Sequence, residues 1–230
     1  MAFADGSDSL LQRGGGLALE LSQLSKHFGR SYILKDISLT MRQGQLVALH
    51  GQNGSGKTTL LNILATRLKA SQGSAKVLGF DVLKEAEEVR RRTAYVQVWG
   101  GSYPSLSALE NLQFAQRLYQ RKGDVGGVLE QVGLSHATHK LVRSYSSGMK
   151  KRLAIAKLLL SDASLWLLDE PYVALDEAGR ELIDQLLLQA KQQGKTIILA
   201  SHDLERSERY ADSILQLKEG QLLLYPSIQP

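Results

Sequence analysis

Stretches of alternating apolar and polar residues are interleaved along the chain with short unbroken apolar runs. Residues 17–21 and 37–41 alternate, the pattern of strands with one face in a core and the other toward solvent. Residues 46–50 are almost wholly apolar and lead into glycine, and residues 165–168 and 196–200 are similar runs. Runs this short predict strands buried on both faces, as in a parallel sheet covered by helices. Residues 57–68 predict a helix. Residues 214–217 and 222–224, joined through Glu219-Gly220, predict a hairpin. Between residues 105 and 160 the spacing becomes helical: Leu109, Leu112, Phe114 and Leu118 recur, then Val128, Leu129 and Val132, with Gly123, Gly126, Gly127 and Gly133 as punctuation. The expected fold class is α/β, with a helical lobe inserted between two halves of the core. No internal repeat is visible.

One glycine-rich loop changes this from a fold prediction into a chemical one. Gly51, Gln52, Asn53, Gly54, Ser55, Gly56, Lys57 and Thr58 follow the spacing of a phosphate-cradling loop, and Thr59 continues into the helix. Glycines let the backbone turn tightly, so that successive N–H groups point inward at phosphate oxygens. The helix behind presents its positive end to the same charge. Lys57 is expected to reach the β- and γ-phosphates, and Thr58 to offer its hydroxyl to magnesium. The loop sits after a strand and before a helix, as the motif requires. Magnesium–ATP is the expected ligand.

The run at residues 165–168 ends in Asp169 and Glu170. A buried strand delivers such carboxylates to its carboxyl end, where open α/β sheets bind ligands. Asp169 is the candidate for holding magnesium, directly or through water, and Glu170 for activating the attacking water. His202 follows another buried run and is placed to meet a γ-phosphate.

Composition narrows the setting. An apolar fraction of 43% and a charged fraction of 22% are ordinary for a globular protein, and cysteine is absent, which excludes disulfides and thiolate metal sites. No stretch approaches the about 20 apolar residues that cross a bilayer, so the chain is expected to reach a membrane only through a partner or its surface. Residues 1–16 are small, polar and glycine-rich and are expected to form a flexible leader. The net charge of +5 fits a mixed, solvated surface, or attraction to phosphate, nucleic acid or an anionic membrane face.

Taken together, residues 17–225 resemble the ATP-binding subunits of ABC transporters. Tyr145-Ser146-Ser147-Gly148-Met149, with the basic, alanine-rich stretch behind it, is similar to the family's signature motif, usually Leu-Ser-Gly-Gly-Gln. Val173-Ala174-Leu175-Asp176 is similar to the D-loop. His202 matches the switch histidine, and Phe28 stands where an aromatic stacks on adenine, with Tyr32 as the fallback. The resemblance implies a P-loop core with a mainly parallel sheet and an N-terminal antiparallel β portion. It divides residues 17–230 into a RecA-like core (17–98 and 161–225) and a helical subdomain (99–160). It also implies that Ser146, Ser147 and Gly148 contact the γ-phosphate held by a second copy, in a head-to-tail homodimer with two ATPs, and that an integral membrane permease is the partner.

Three positions depart from the family pattern. Ser147 replaces a glycine, and a positive φ would strain it. Met149 replaces a glutamine and loses its polar contact. Weaker dimerisation or hydrolysis is expected from both. Tyr95-Val96-Gln97-Val98 puts glutamine one place early for a Q-loop, so either Gln97 binds magnesium and couples to the permease after a local shift, or Val98 fills that slot. Residues 107–112, 165–172 and 201–206 resemble the ATPase of the haem exporter used in cytochrome c maturation. An ABC-type ATPase acting on nucleic acid or ribosomes is the competing reading, but the long coiled-coil insertion or tandem domains usual there are absent, and no nucleic-acid partner is expected. A module that holds ATP without turnover is disfavoured by Lys57, Asp169, Glu170 and His202.

Overall fold

The computed structural model describes residues 16–97, 101–120 and 122–225. The expected leader, apart from Gly16, lies outside the described residues, as do Val98 and residues 226–230 of the expected domain.

Two long strands open the chain. β1 (Leu17–Phe28) and β2 (Ser31–Arg42) pair antiparallel, and with β4 (Gln72–Val77) and β5 (Phe80–Asp81) they form a four-stranded sheet in the order β2-β1-β4-β5. Both strands run well beyond the short alternating stretches that mark them in the sequence. The second sheet has six strands in the order β10-β9-β3-β8-β7-β6. Its members are β3 (Leu46–His50), β6 (Thr93–Val96), β7 (Leu165–Asp169), β8 (Thr196–Ser201), β9 (Ser213–Lys218) and β10 (Gln221–Leu224). All pairings in it are parallel except the β9–β10 hairpin, which closes through Glu219-Gly220 as expected.

The apolar runs are buried on both sides because alternate residues enter two different cores. Val47, Leu49, Leu165, Leu167, Ile198 and Ala200 pack with the antiparallel sheet and with α1 (Lys57–Leu64). Leu46, Trp166, Leu168, Ile197 and Leu199 pack on the other side. There they meet α3 (Ala108–Tyr119), α4 (Val125–Gln131), α5 (Ser147–Leu160) and α6 (Glu177–Gln192). Leu112, Leu129 and Leu153 of the inserted helices thus share one apolar cluster with a face of the sheet. α6 buries Ile183, Leu186, Leu187 and Ala190, an i, i+3, i+4, i+7 stripe. The short helices α2 (Ala86–Arg92) and α7 (Leu204–Tyr210) and two 3-10 turns, Ser135–Ala137 and Val142–Ser144, complete the described elements.

The starts of α3, α5 and α6 are marked by side-chain caps. Ser107 accepts from Glu110 N while its own N–H donates to the Glu110 carboxylate, a complete capping box for α3. Asp176 caps α6 through Gly179 N at 2.9 Å. Ser146 caps α5 through Met149 N at 3.2 Å. The helix expected to reach residue 68 instead ends at Leu64. Thr66 takes a left-handed φ of 60°, and its N–H turns back to Ile63 O. β6, a four-residue edge strand behind three arginines, has no counterpart in the apolar pattern. It is too short and too mixed to register there.

Candidate nucleotide site

The sheet topology sends four strand ends to one edge. Register pairs His50 with Ser201, Asp169 with Ala200, and Val96 with Leu168. The phosphate loop, Gln97, Glu170 and His202 therefore all leave the carboxyl edge of the parallel sheet, where such sheets bind ligands.

The loop itself lines a hollow of about 250 Å³. Its walls are Gln52, Asn53, Gly54, Ser55, Gly56, Lys57, Thr58 and Thr59, with Asp169, Glu170, Phe28 and Ile33. Gly56 immediately precedes α1 with φ 109°, and a Cβ there would stand 3.0 Å from Leu34 Cδ2 and 3.1 Å from Ile33 O. Only glycine meets both the backbone angle and the close approach of β2. Lys57 is buried, and its ammonium donates to Gly51 O at 2.6 Å and Gln52 O at 3.3 Å.

The acidic strand end completes this hollow. Thr58 Oγ1 donates to Asp169 Oδ2 at 2.7 Å. Asp169 is only 4% exposed, and its Oδ1 has no hydrogen-bond partner among the described residues. A hydroxyl and a spare carboxylate oxygen side by side suit a hard cation that favours oxygen ligands. Lys57 Nζ lies 3.4 Å from Glu170 Oε1, and His202 Nδ1 lies 2.9 Å from Glu170 Oε2. Glu170 holds this position with a left-handed φ of 49°. For a non-glycine residue that conformation costs on the order of 1–3 kcal/mol and tends to mark functional sites.

The remaining sequence candidates fall around this centre. Phe28 lines the hollow and is 54% exposed, with Lys26 Nζ 4.8 Å from its ring centroid. Tyr32 does not line it and instead packs against His27, with ring centroids 5.4 Å apart. The Gln97 side chain accepts from Arg67 at 3.0 Å and donates to Tyr95 Oη at 3.3 Å. Tyr95 Oη in turn donates to Asp169 Oδ2 at 3.3 Å, so Gln97 is linked to Asp169 through one hydroxyl. Burial, and next the Asp169 carboxylate, push the Tyr95 phenol up to about 12. Gln97 also stands on the wall of a second, larger cleft of about 970 Å³, flanked by Arg67, Arg90, Leu118, Tyr119 and Lys157.

Ser146, Ser147 and Gly148 are not among the walls of the phosphate hollow. The strain expected at Ser147 does not arise, because Ser147 is the first helical residue of α5 and its φ is not positive. Gly148 carries the steric constraint instead: a Cβ there would meet Ala174 O, in the D-loop-like segment, at 3.1 Å. Met149 packs against the apolar cluster, which gives its side chain a place that a glutamine would fill less well.

A family model described as "ABC transporter" matches residues 34–173. The chain belongs to the ABC transporter ATP-binding family. ABC transporter ATP-binding protein NatA of Bacillus subtilis is 33% identical over 198 residues, covering 83% of this chain and 80% of that protein. Cytochrome c biogenesis ATP-binding export protein CcmA of Histophilus somni is 35% identical over 187 residues, covering 80% of this chain and 86% of that protein. Among solved structures, a dimeric ATP-binding cassette in a post-hydrolysis state bound to ADP and Pi superposes with a TM-score of 0.80 at 26% identity, covering 92% of this chain and 99% of that one.

As an ABC ATPase domain, the chain is an ATP-binding protein whose family implies ATP hydrolysis. Among the described residues no helix is long and apolar enough to cross a membrane. Two groups at the site carry no functional signal in the sequence. Tyr95 stands there only as a spacing marker for Gln97, and Lys151 only as part of a basic stretch. Nothing in their local pattern shows that one reaches Asp169 and the other Glu170.

Proposed function

We propose that this chain is the ATP-hydrolysing subunit of an ABC transporter, with Glu170 as the general base. The observation that carries this reading is the Glu170 carboxylate held between Lys57 and His202 at the mouth of the phosphate loop. The loop N–H groups of residues 51–59 bind the phosphates, and Lys57 exchanges its carbonyl acceptors for phosphate oxygens. Thr58 and Asp169 hold magnesium, with Gln97 acting through Tyr95. Magnesium held there would supply positive charge to offset the charge developing on the phosphates. Glu170 accepts a proton from water as its oxygen attacks the γ-phosphorus and the bond to the ADP oxygen breaks. His202 fixes the carboxylate's orientation and reaches toward the transferred phosphoryl group. Phe28, rather than Tyr32, offers its ring to adenine, which its place in the wall of the hollow supports.

The second half of the site comes from another copy of the chain. Ser146, Ser147 and Gly148 stand at the N-terminus of a 14-residue helix, where N–H groups and the helix dipole favour an anion. They lie outside their own chain's phosphate hollow, and the similar dimeric cassette supports a homodimer, in which a head-to-tail arrangement brings them to the other copy's phosphates. Packing of Gly148 against Ala174 ties this motif to the segment that follows Glu170. The boundaries 17–98 with 161–225 for the core and 99–160 for the helical subdomain belong to the same proposal.

The transport role needs a separate integral membrane permease, with this subunit peripheral on the cytoplasmic face. The larger cleft beside Gln97, with exposed Leu118 and Tyr119, is the docking surface in this reading. Haem export is supported by the CcmA relative, while NatA, about as close, bears no such name. Ser107 and Glu110 form a helix cap, and Arg206 is a buried ion-pair partner, so these residues of the haem-exporter-like stretches are accounted for by folding. The test is purification from native membranes. Co-purification with an integral membrane protein that stimulates magnesium-dependent ATP turnover is expected. A chain that neither turns over ATP nor associates with such a protein contradicts the proposal.

A further inference from the structure

Lys151 is 4% exposed, yet among the described residues its ammonium has only main-chain carbonyls as hydrogen-bond partners. It donates to Glu170 O at 3.2 Å and to Gln97 O at 3.4 Å. A buried cation without a hydrogen-bonded carboxylate is an expensive way to fill space. Burial pushes this ammonium down to about 8, while the Asp169 and Glu170 carboxylates pull the other way. An apolar side chain of similar length would pack there at lower cost, so stability does not account for a lysine.

What the ammonium touches is the strained peptide that bears Glu170. That residue's N–H donates to Ala200 O at 2.9 Å, which pins it to β8. On the carbonyl side the next residue is Pro171, which has no N–H. The Glu170 carbonyl is held by Val173 N at 3.3 Å and by Lys151. Lys151 lies on α5 five residues after the cap Ser146, so one side chain connects the signature helix, the end of β6 and the end of β7.

We propose that Lys151 is a positioning residue, holding the Glu170 backbone in its left-handed conformation and coupling the placement of that carboxylate to the signature helix and the Gln97 segment. A movement of α5 relative to the sheet either carries this clamp along or breaks it. The inference rests on the reading of Glu170 as general base.

The test uses the full chain and compares Lys151→Met, Lys151→Arg and Glu170→Gln. Steady-state ATP turnover, equilibrium binding of a fluorescent ATP analogue, and the thermal midpoint are measured for each. Lys151→Met is expected to lower kcat by about 10²-fold, the scale of a displacement near 1 Å at a reacting group. KM and analogue affinity stay within about twofold, the signature of an interaction that matters only during reaction. Lys151→Arg restores most of the loss, because it keeps the charge and the donors. Unchanged kcat in Lys151→Met overturns the proposal. So does a loss of kcat matched by loss of affinity and melting temperature, or an arginine variant as slow as the methionine one. Where Lys151→Met does not fold, Lys151→Gln is read by the same criteria. Wild-type turnover in Glu170→Gln sinks the general-base reading itself; an inactive Glu170→Gln beside a fully active Lys151→Met sinks only the clamp.

Discussion

His202 Nδ1 lies 2.9 Å from Glu170 Oε2, although the two residues leave different strands of the sheet. The pairing of β7 with β8, which sets Asp169 opposite Ala200, creates that proximity. Replacing His202 by alanine leaves Lys57 as the carboxylate's salt-bridge partner among the described residues. Turnover should fall by about 10²-fold, at the lower end of what a positioned acid–base group contributes. ATP affinity should hold, since His202 is not part of the phosphate hollow. Parallel turnover and equilibrium-binding measurements check both statements.

Tyr95 acts one step away from the cation site, through its hydrogen bond to Asp169 Oδ2. Tyr95→Phe removes that donor and the link to Gln97 while keeping the ring under Arg67. Partners of metal ligands typically contribute about 10- to 100-fold to metal affinity. The magnesium concentration for half-maximal turnover should therefore rise by about tenfold, with little change in turnover at saturating magnesium. A magnesium titration of the two proteins decides it.

Arg206 is buried against Asp184 and also pairs with Glu177, and Tyr172 Oη donates to Asp184 Oδ1 at 2.6 Å. The network joins the segment after Glu170 to α6 and α7. Arg206→Met leaves the Asp184 carboxylate buried without its cation, a change that costs about 3–5 kcal/mol. Chemical denaturation should show a correspondingly lower midpoint. Tyr172→Phe, which removes one hydrogen bond and no charge, should cost about 1–3 kcal/mol.

Lys157 donates to Ser102 Oγ at 3.1 Å and Asn111 Oδ1 at 3.3 Å, and burial lowers its ammonium to about 8 from the usual 10.5. Between those two values the unfolded chain binds more protons than the folded one, so stability rises with pH across that window. Below about pH 8 the burial cost of the charged form is fully present. The stability of the wild type relative to Lys157→Met should therefore improve as pH increases from 8 toward 10.5. Thermal melts of both proteins across that range test it, and a flat difference contradicts the assignment.

The strands buried on both faces are legible because alternate residues of each run serve two cores, which leaves few polar positions. Residues 46–50, 165–168 and 196–200 all announced themselves this way. The phosphate loop was legible because its chemistry is local: eight consecutive residues carry it. Contacts made across the sheet edge were not, since the 74-residue separation of Tyr95 and Asp169 leaves no pattern in either segment. β6 is too short to show in the pattern, and the apolar spacing runs past the end of α1 because the left-handed turn at Thr66 has no glycine to mark it. Residues 107–112 resemble the haem-exporter ATPase in sequence, and the cap between Ser107 and Glu110 shows a folding role there that any helix start can use.

Glu170→Gln, assayed for ATP turnover and for ATP binding on the same preparation, is the most direct test of the general base. The predicted result is retained binding, turnover lowered by about 10²-fold or more, and a dimer that accumulates with ATP. Undiminished turnover in that variant would contradict the central claim that this carboxylate, set between Lys57 and His202, is the base that drives hydrolysis.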